Sequence, residues 1–198
     1  DILVGTQMIS KGLDFDNVSL VGVFNADKMI YFPDFRAAER AFQMLTQVSG
    51  RAGRKEKPGM VLIQTGGPEH SVLQHVLEGN YKRFYEEEIK EREAFSYPPF
   101  SRIIAITTKH VDRSISHQAA GSLVNILRTK LGTERVLGPE KGLVERIRNQ
   151  YIYEVVVKLE KAKLNIPAVK TFLREQITIL NTEKAYKSVR FVVTVDVV

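Results

Sequence analysis

The sequence of 198 residues contains no cysteine. It can therefore form neither a disulfide nor a thiolate zinc site, which fits a reducing compartment without proving one. It also has no apolar run approaching the roughly 20 residues that a membrane-spanning helix needs. The first residues, DILVGTQ, have the composition of a buried strand and not of a secretory signal. These absences predict a cytoplasmic protein with no membrane partner.

Nucleotide-binding and metal-binding signals are also scarce. The phosphate loop GxxxxGK(S/T) does not occur, so no segment can cradle the β- and γ-phosphates of a nucleotide in that way. His70 and His75 are five residues apart, a poor spacing for one helical metal face, and we expect no metal site. An initiating methionine is absent too, so we expect a piece of a longer protein.

Positive charge is concentrated in the second half of the chain. The net charge is +6 overall. Residues 1–94 carry 12 Lys/Arg against 14 Asp/Glu, whereas residues 95–198 carry 17 against 9, a net charge of +8. Such an asymmetry favours a polyanionic partner for the second half. Ordinary solubility charge is the alternative.

Short apolar runs predict a parallel sheet in the first half. Residues 2–6, 19–27 and 61–65 are apolar runs that end in small or polar residues and do not alternate, which is typical of strands covered on both faces. A helix is predicted between the second and third runs, with Asp34 as its N-cap and an end near Gly50. The apolar positions expected on its inner face are Phe35, Ala38, Phe42 and Leu45.

Residues 68–94 predict two further helices, which Gly79 separates. The segment FSYPPFSR (95–102) interrupts the helical pattern, because two consecutive prolines forbid a helix. We place a domain boundary between residues 94 and 95.

The second half alternates between strand and helix patterns and predicts a ferredoxin-like β-α-β-β-α-β domain with an antiparallel sheet. The predicted elements are a strand at 102–110, a helix from Asp112 to about Leu131, a short strand within 135–148, a strand at 151–159, a helix from Asn165 and a strand at 189–197.

The stretch QVSGRAGR follows the helix that ends near Gly50. Its arginines, Arg51 and Arg54, are three apart and lie next to Gly50 and Gly53. Guanidinium groups suit bidentate phosphate contacts, and glycines let the backbone turn tightly near a ligand. An arginine supplied from a separate lobe can stabilise a transferring phosphoryl group. A surface loop with two incidental cations is the alternative.

Four stretches are informative when they are read together in chain order. These are GTQMISKGLDF (5–15), LVGVFNAD (20–27), FPDFRAAERAFQMLTQVSGRAGR (32–54) and YPPFSR (97–102). The set resembles the C-terminal part of the PriA-type replication-restart helicases, the primosomal protein N′ family of superfamily 2. GTQMISKGLDF resembles helicase motif V, and QVSGRAGR resembles motif VI. The resemblance implies the end of a RecA-like lobe followed by the family's C-terminal domain.

The resemblance also implies roles for individual residues. Arg51 and Arg54 match the motif VI arginines that face the γ-phosphate of the nucleotide across the cleft between two lobes, and Gln47 matches the glutamine near that cleft. Asp14 matches the motif V acid near the nucleotide sugar or the motif VI arginines. The motif V residues that link the DNA backbone to the cleft are Thr6, Gln7 and Lys11.

The basic second half matches the family's C-terminal domain, which contributes to the binding of branched DNA. A phosphate-binding patch and a solvated basic surface remain alternatives for its cations. Tyr151, Tyr153 and Phe191 could stack on bases, although their alternation with apolar residues favours core packing. The cations of the candidate DNA patch are Arg146, Arg148, Lys158, Lys161 and Lys163.

As a whole, the resemblance implies an ATP-driven, Mg²⁺-dependent 3′-to-5′ DNA helicase that restarts stalled replication forks and loads the primosome. Its implied partners are branched and single-stranded DNA, single-stranded DNA-binding protein and primosome components. The phosphate loop, the DExH box and the family's zinc module lie upstream of residue 1, so this chain alone would bind no nucleotide stably and would not hydrolyse ATP. A non-enzymatic nucleic-acid-binding module and another superfamily 2 motor are the alternatives.

Overall fold

The computed structural model describes residues 2–5, 18–50, 59–160 and 164–196. The chain divides into two compact units, Asp1–Glu91 and Arg92–Val198. Within the described residues, no helix has both the length and the apolar character needed to cross a membrane.

The first unit is built on a parallel two-stranded sheet. Strand β1 spans Leu20–Val23 and pairs in register with β2, Met60–Ile63. The helices of this part of the chain are α1 (Asp27–Ile30), α2 (Ala37–Ser49), α3 (Ser71–Glu78) and α4 (Tyr81–Ala94).

The core of the first unit forms between its helices. Phe42 on α2 stacks on Phe84 of α4, with ring centroids 4.3 Å apart and an interplanar angle of 6°, an arrangement that adds to the burial of both rings. Gly79 ends α3 in the left-handed conformation with φ 63°, as expected for a glycine after a helix. The remaining core residues are Ala26, Ile30, Ala41, Leu45, Val72 and Leu73.

Two predictions for the first unit are wrong. Residues 2–5 form no strand, and Ile2 and Val4 are exposed, because within the described part of the chain no strand pairs with them. Nor are the two strands covered on both faces: Leu20 and Met60, which are register partners, are both more than half exposed.

The predicted N-cap is also displaced. Helix α2 begins at Ala37, and its N-cap position is Arg36. Asp34 instead accepts a hydrogen bond from the backbone N–H of Arg36 at 2.9 Å and forms an ion pair with Arg40 at 2.9 Å. Asp34 therefore stabilises the turn before the helix. The predicted helix end at Gly50 is confirmed.

The second unit has the predicted β-α-β-β-α-β order. Its four-stranded sheet has the strand order β4-β5-β3-β6, and all neighbouring strands are antiparallel. Strand β4 is longer than the short strand that the sequence predicted. The elements are β3 (Ser101–His110), α5 (Arg113–Leu131), β4 (Val136–Ile147), β5 (Gln150–Glu160), α6 (Ile166–Thr182) and β6 (Arg190–Val195).

Both helices of the second unit begin at the predicted caps. The Asp112 carboxylate accepts hydrogen bonds from the backbone N–H groups of Ser114 and Ile115, and Asn165 accepts one from Ala168. Such caps satisfy N–H groups that have no partner within the helix.

One face of the sheet and the two helices enclose a single apolar core. Each fully buried aliphatic side chain in it contributes about 1.5–3 kcal/mol to folding. The largest fully buried side chains of this core are Ile104, Ile106, Leu123, Leu127, Leu159 and Leu180.

Candidate nucleotide and DNA-binding sites

Helix α2 leads directly into the candidate arginines. Its buried stripe includes Ala41, Phe42, Leu45 and Val48, which fixes the rotation of the helix and leaves Gln47 on the exposed side. The helix ends at Gly50, whose N–H donates to the Thr46 carbonyl at 3.0 Å. Gln47 therefore lies in the last turn, on the surface, just before the motif VI arginines.

Most of the residues predicted to face a nucleotide or link to DNA in this unit lie outside the described residues. This applies to Arg51 and Arg54 within 51–58, and to Thr6, Gln7, Lys11 and Asp14 within 6–17. Their roles stay predictions from the sequence.

The two described arginines beside the start of α2 are already neutralised. Arg36 pairs with Glu39 at 3.2 Å, and this carboxylate raises the pKa of the Arg36 guanidinium. Arg40 pairs with Asp34. Each has its acid within this unit, so neither is a candidate for a nucleotide phosphate.

At the carboxyl ends of β1 and β2, hydrogen bonds join the segments that follow the two strands, which the sequence did not indicate. The Asp27 carboxylate accepts hydrogen bonds from the Thr65 hydroxyl at 2.6 Å and from the Gly66 N–H at 2.8 Å. Both hydrogen bonds lower the pKa of Asp27, and the one from Thr65 has the larger effect. Ligands of open parallel α/β sheets bind at this edge. Here, however, Asp27 is ionised and engaged, and it fixes the loop after β2 to α1.

His75 is a second residue whose role was missed. Its side chain is buried, and its Nε2 lies 2.8 Å from a carboxylate oxygen of Glu87 on α4. The hydrogen bond with His75 is the largest cause that lowers the pKa of Glu87. The interaction links α3 to α4. Among the described residues, no group of three or more His, Asp or Glu side chains could hold a metal ion.

In the second unit, Arg146 lies just before the tight turn between β4 and β5, and Arg148 lies within that turn. The pair Ile147–Gln150 closes a two-residue loop in which Arg148 and Asn149 both have positive φ, at 48° and 64°. This is the backbone of a type I′ hairpin. The Arg146 guanidinium lies 5.0 Å from the centroid of the Tyr151 ring and donates to the Asn149 side chain. Both arginines are exposed.

Lys158 does not lie with these arginines. It is the register partner of Ile103, whereas Arg146 is the partner of Tyr151. Seven residues of extended strand separate positions 151 and 158, a distance of about 23 Å. The residues therefore occupy opposite ends of β5, and the described part of the predicted patch is not one surface. Lys161 and Lys163 lie outside the described residues.

The Lys158 ammonium is engaged by the segment before β3. Its Nζ donates to the Phe95 carbonyl at 2.8 Å and lies 4.0 Å from the centroid of the Tyr97 ring. Partial burial lowers the pKa of Lys158. Lys158 therefore fixes residues 95–97 to the sheet, a contact that the sequence pattern could not show.

Two of the three aromatic residues considered for base stacking pack in the core, as expected. Tyr153 is buried in the core, and its hydroxyl accepts a hydrogen bond from Arg113 Nε at 3.3 Å. Phe191 packs against the same core and is partly buried. Core packing is thus confirmed for both residues. Tyr151 is half-buried beneath Arg146.

Comparison with known proteins covers both units. Residues 1–56 match the helicase conserved C-terminal domain, and residues 93–198 match the primosomal protein N C-terminal domain. The second match alone includes more than half of the chain.

Individual relatives agree with these matches. The chain is 45% identical over 162 residues to the replication restart protein PriA of Bacillus subtilis, which covers 81% of this chain and 20% of that protein. It is 45% identical over 163 residues to PriA of Synechocystis, covering 80% and 19%. It is 54% identical over 104 residues to PriA of Chlamydia muridarum, covering 52% and 14%. The chain thus spans about a fifth of the length of the first two relatives. Taken with the helicase match of the first unit, these similarities show that the chain belongs to the primosomal protein N family of replication restart helicases.

Proposed function

We propose that the whole protein is an ATP-dependent DNA helicase that moves 3′ to 5′, binds branched DNA at stalled forks and loads the primosome. In this proposal, the chain supplies the end of the second RecA-like lobe and a basic DNA-binding domain. The observation that carries the proposal is the helicase C-terminal match over residues 1–56, which includes both motif V and motif VI.

Helix α2 supports the proposed role of the motif VI arginines. Its buried stripe and the cap at Gly50 hold the helix end rigidly, and Arg51 is the next residue in the chain. A preorganised cation stabilises developing charge without a reorganisation cost at the moment of reaction. Arg51 and Arg54 would act on the γ-phosphate, while Gln47 and Asp14 would lie beside the nucleotide.

The residues present do not form a complete site for ATP and Mg²⁺. The sequence has no phosphate loop, and the described residues contain no cluster of three or more His, Asp or Glu side chains that could hold a metal ion. We therefore infer that this chain contributes side chains, above all the guanidinium groups of Arg51 and Arg54, to a nucleotide held mainly by other parts of the protein. The isolated chain should show no ATP turnover.

DNA contact is proposed for both units. In the first, Thr6, Gln7 and Lys11 would follow the DNA backbone. In the second, the charge of +8 over residues 95–198 favours a sequence-independent contact with phosphates. Single-stranded DNA-binding protein and primosome components are the proposed protein partners, and the cytoplasm is the proposed location.

Unwinding and hydrolysis assays on the full-length protein test this function. We expect DNA-stimulated ATP hydrolysis, with unwinding of substrates that carry a 3′ single-stranded tail and not of those with only a 5′ tail. Hydrolysis without unwinding of either substrate would contradict the helicase proposal.

The basic unit also supports a second candidate, a nucleic-acid-binding module without enzymatic activity. The two candidates differ in the coding sequence upstream of Asp1. A phosphate loop and a DExH box there would favour the helicase, and their absence would favour the binding module.

A further inference from the structure

Cations at the two ends of the four-stranded sheet have different partners. At the end where β3 begins, Arg102 pairs with Asp196, and Arg135 pairs with Glu134 and, at 2.7 Å, with Glu160. At the opposite end, where β4 turns into β5, four cations have no such partner. They define what we name the turn-end surface: Lys109 and Arg190 lie on one face of the sheet, Arg146 on the other face, and Arg148 at the hairpin tip. None of the four forms an ion pair within the described part of the chain.

Two of these cations oppose each other directly. Lys109 on β3 and Arg190 on β6 are register partners, so their side chains lie on the same face of neighbouring strands. Like charges in this arrangement are destabilising. A bound anion would offset their repulsion, and neither cation forms an ion pair with a carboxylate of the described residues.

Arg148 has an unfavourable conformation at the same end of the sheet. With φ 48°, it occupies the left-handed region, which costs free energy for a residue with a Cβ atom. The result is an exposed arginine at the tip of the hairpin. Arg146, on the strand beside it, is held over the Tyr151 ring and is therefore partly preorganised.

Nearby acids do not neutralise this surface. Glu145 pairs with Arg113 at 2.7 Å and lies 3.8 Å from Lys141, so these two cations are excluded from the surface. The Asp112 carboxylate is occupied by the N-terminal N–H groups of α5.

Acidic residues nearer the middle of the sheet determine which path a bound polyanion would follow. Glu140 and Glu154 are register partners on the face that carries Lys109, and they lie nearer the middle of the sheet. That face therefore changes from basic at its end to acidic towards its centre. A polyanion would be repelled from the centre of the sheet. It would instead run across the ends of the strands, past the hairpin tip.

We propose that the turn-end surface binds the phosphodiester backbone of DNA. The backbone would run across the ends of the strands and not across the face of the sheet. This inference rests on the proposed function and deepens it, because it names the DNA-contacting residues of the basic unit. It replaces Lys158 with Lys109 and Arg190, which no sequence pattern indicated. The repeated phosphates of a DNA strand can reach cations on both faces and at the tip of this end of the sheet, which the isolated carboxylates of an acidic protein surface match less well.

A pair of matched charge variants tests the location. The first is Lys109→Gln with Arg190→Gln. The control is Lys130→Gln with Lys170→Gln, which removes the same charge from exposed positions in the last turn of α5 and the first turns of α6, away from the turn end. Each 198-residue chain is titrated against a fluorescent forked oligonucleotide at several salt concentrations.

We expect the first variant to bind more weakly and to reduce the log–log salt slope by up to about two, because each lost phosphate contact removes about 0.9. The control should retain the slope of the unmodified chain. Neither variant should have a lower thermal midpoint than the unmodified chain. The midpoint of the first variant should rise, because its substitutions remove a pair of like charges.

Arg148→Gly supplies an independent variant that should fold readily, since glycine adopts positive φ without strain. It should weaken DNA binding while stabilising the turn. Equal losses in the first variant and the control, or no loss in the turn-end variants, would overturn the location but leave the helicase proposal standing. If the unmodified chain binds no DNA at low salt, both the turn-end proposal and DNA binding by this unit fail, and a partner protein becomes the alternative ligand. The helicase proposal is tested separately, by ATP hydrolysis in the full-length protein.

Discussion

Lys158→Met should destabilise the second unit without changing its contact with DNA phosphates. The Lys158 Nζ donates to the Phe95 carbonyl at 2.8 Å and lies 4.0 Å from the centroid of the Tyr97 ring. A partly solvated hydrogen bond of this kind contributes about 1 kcal/mol, and an exposed cation–π contact contributes about 0.5–1 kcal/mol. Methionine keeps most of the apolar stem, so the expected loss of unfolding free energy is about 1–2 kcal/mol.

Thermal unfolding followed by circular dichroism measures this loss. For a unit of this size, we expect the midpoint to fall by roughly 5–10 °C. Lys170→Met is the matched control, because Lys170 is an exposed helical lysine, and its midpoint should remain close to that of the unmodified chain. The salt slope of DNA binding should be the same in both variants. An unchanged midpoint for Lys158→Met, combined with a slope reduced by about one, would refute the reasoning and identify Lys158 as a phosphate ligand.

Three further substitutions concern stability. Gly138→Ala should lower the free energy of unfolding by at least about 2 kcal/mol, because Gly138 has φ +100° and an added Cβ would lie 2.6 Å from the Glu154 carbonyl oxygen. Gly121→Ala should instead stabilise α5 by about 0.5–1 kcal/mol, because nothing lies within 4 Å of the added Cβ. Chemical denaturation of both variants checks this pair, and similar midpoints would contradict it. Asp27→Asn should reduce the acid sensitivity of the first unit: hydrogen bonds lower the Asp27 pKa, so its contribution is complete above the ordinary carboxyl range and is lost as the pH falls through the lowered pKa. Circular dichroism from neutral to acid pH tests this, and equal acid midpoints for the two proteins would count against it.

Local patterns predicted the second unit well. The predicted strands at 102–110 and 151–159 and the capping residues Asp112 and Asn165 depend on neighbours within a few positions, and the structure confirms them. The weak point was β6, which is an edge strand. A strand was predicted at 189–197, and β6 spans Arg190–Val195. Val193 and Val195 are both exposed at 40% or more, since β6 pairs with β3 alone.

The first unit was harder to predict because its strands depend on distant partners. An apolar composition indicates a strand at residues 2–6, but it does not indicate which strand will pair with it. The position of Asp34 was missed for a different reason: an aspartate before a helix can cap the helix or stabilise the preceding turn, and the ion pair with Arg40 accompanies the second arrangement.

Side-chain partners explain what could be predicted about the candidate sites. The motifs around Arg51 and Arg54 are contiguous in sequence, so a resemblance identified them directly. The engagement of Lys158 by Phe95 joins residues 63 positions apart. The opposition of Lys109 and Arg190 depends on strand order. Neither arrangement has a signal in the sequence, and both change which cations remain available for DNA.

The most direct test of the proposed function is ATP hydrolysis by the full-length protein carrying Arg54→Ala. If Arg54 faces the γ-phosphate, forked DNA should stimulate hydrolysis about 10³-fold less than in the unmodified enzyme, with a much smaller change in ATP affinity. Lys82→Ala, which removes an exposed cation from α4, should hydrolyse ATP at the unmodified rate. Near-normal DNA-stimulated hydrolysis by the Arg54→Ala protein would contradict the assignment of Arg54 to the nucleotide.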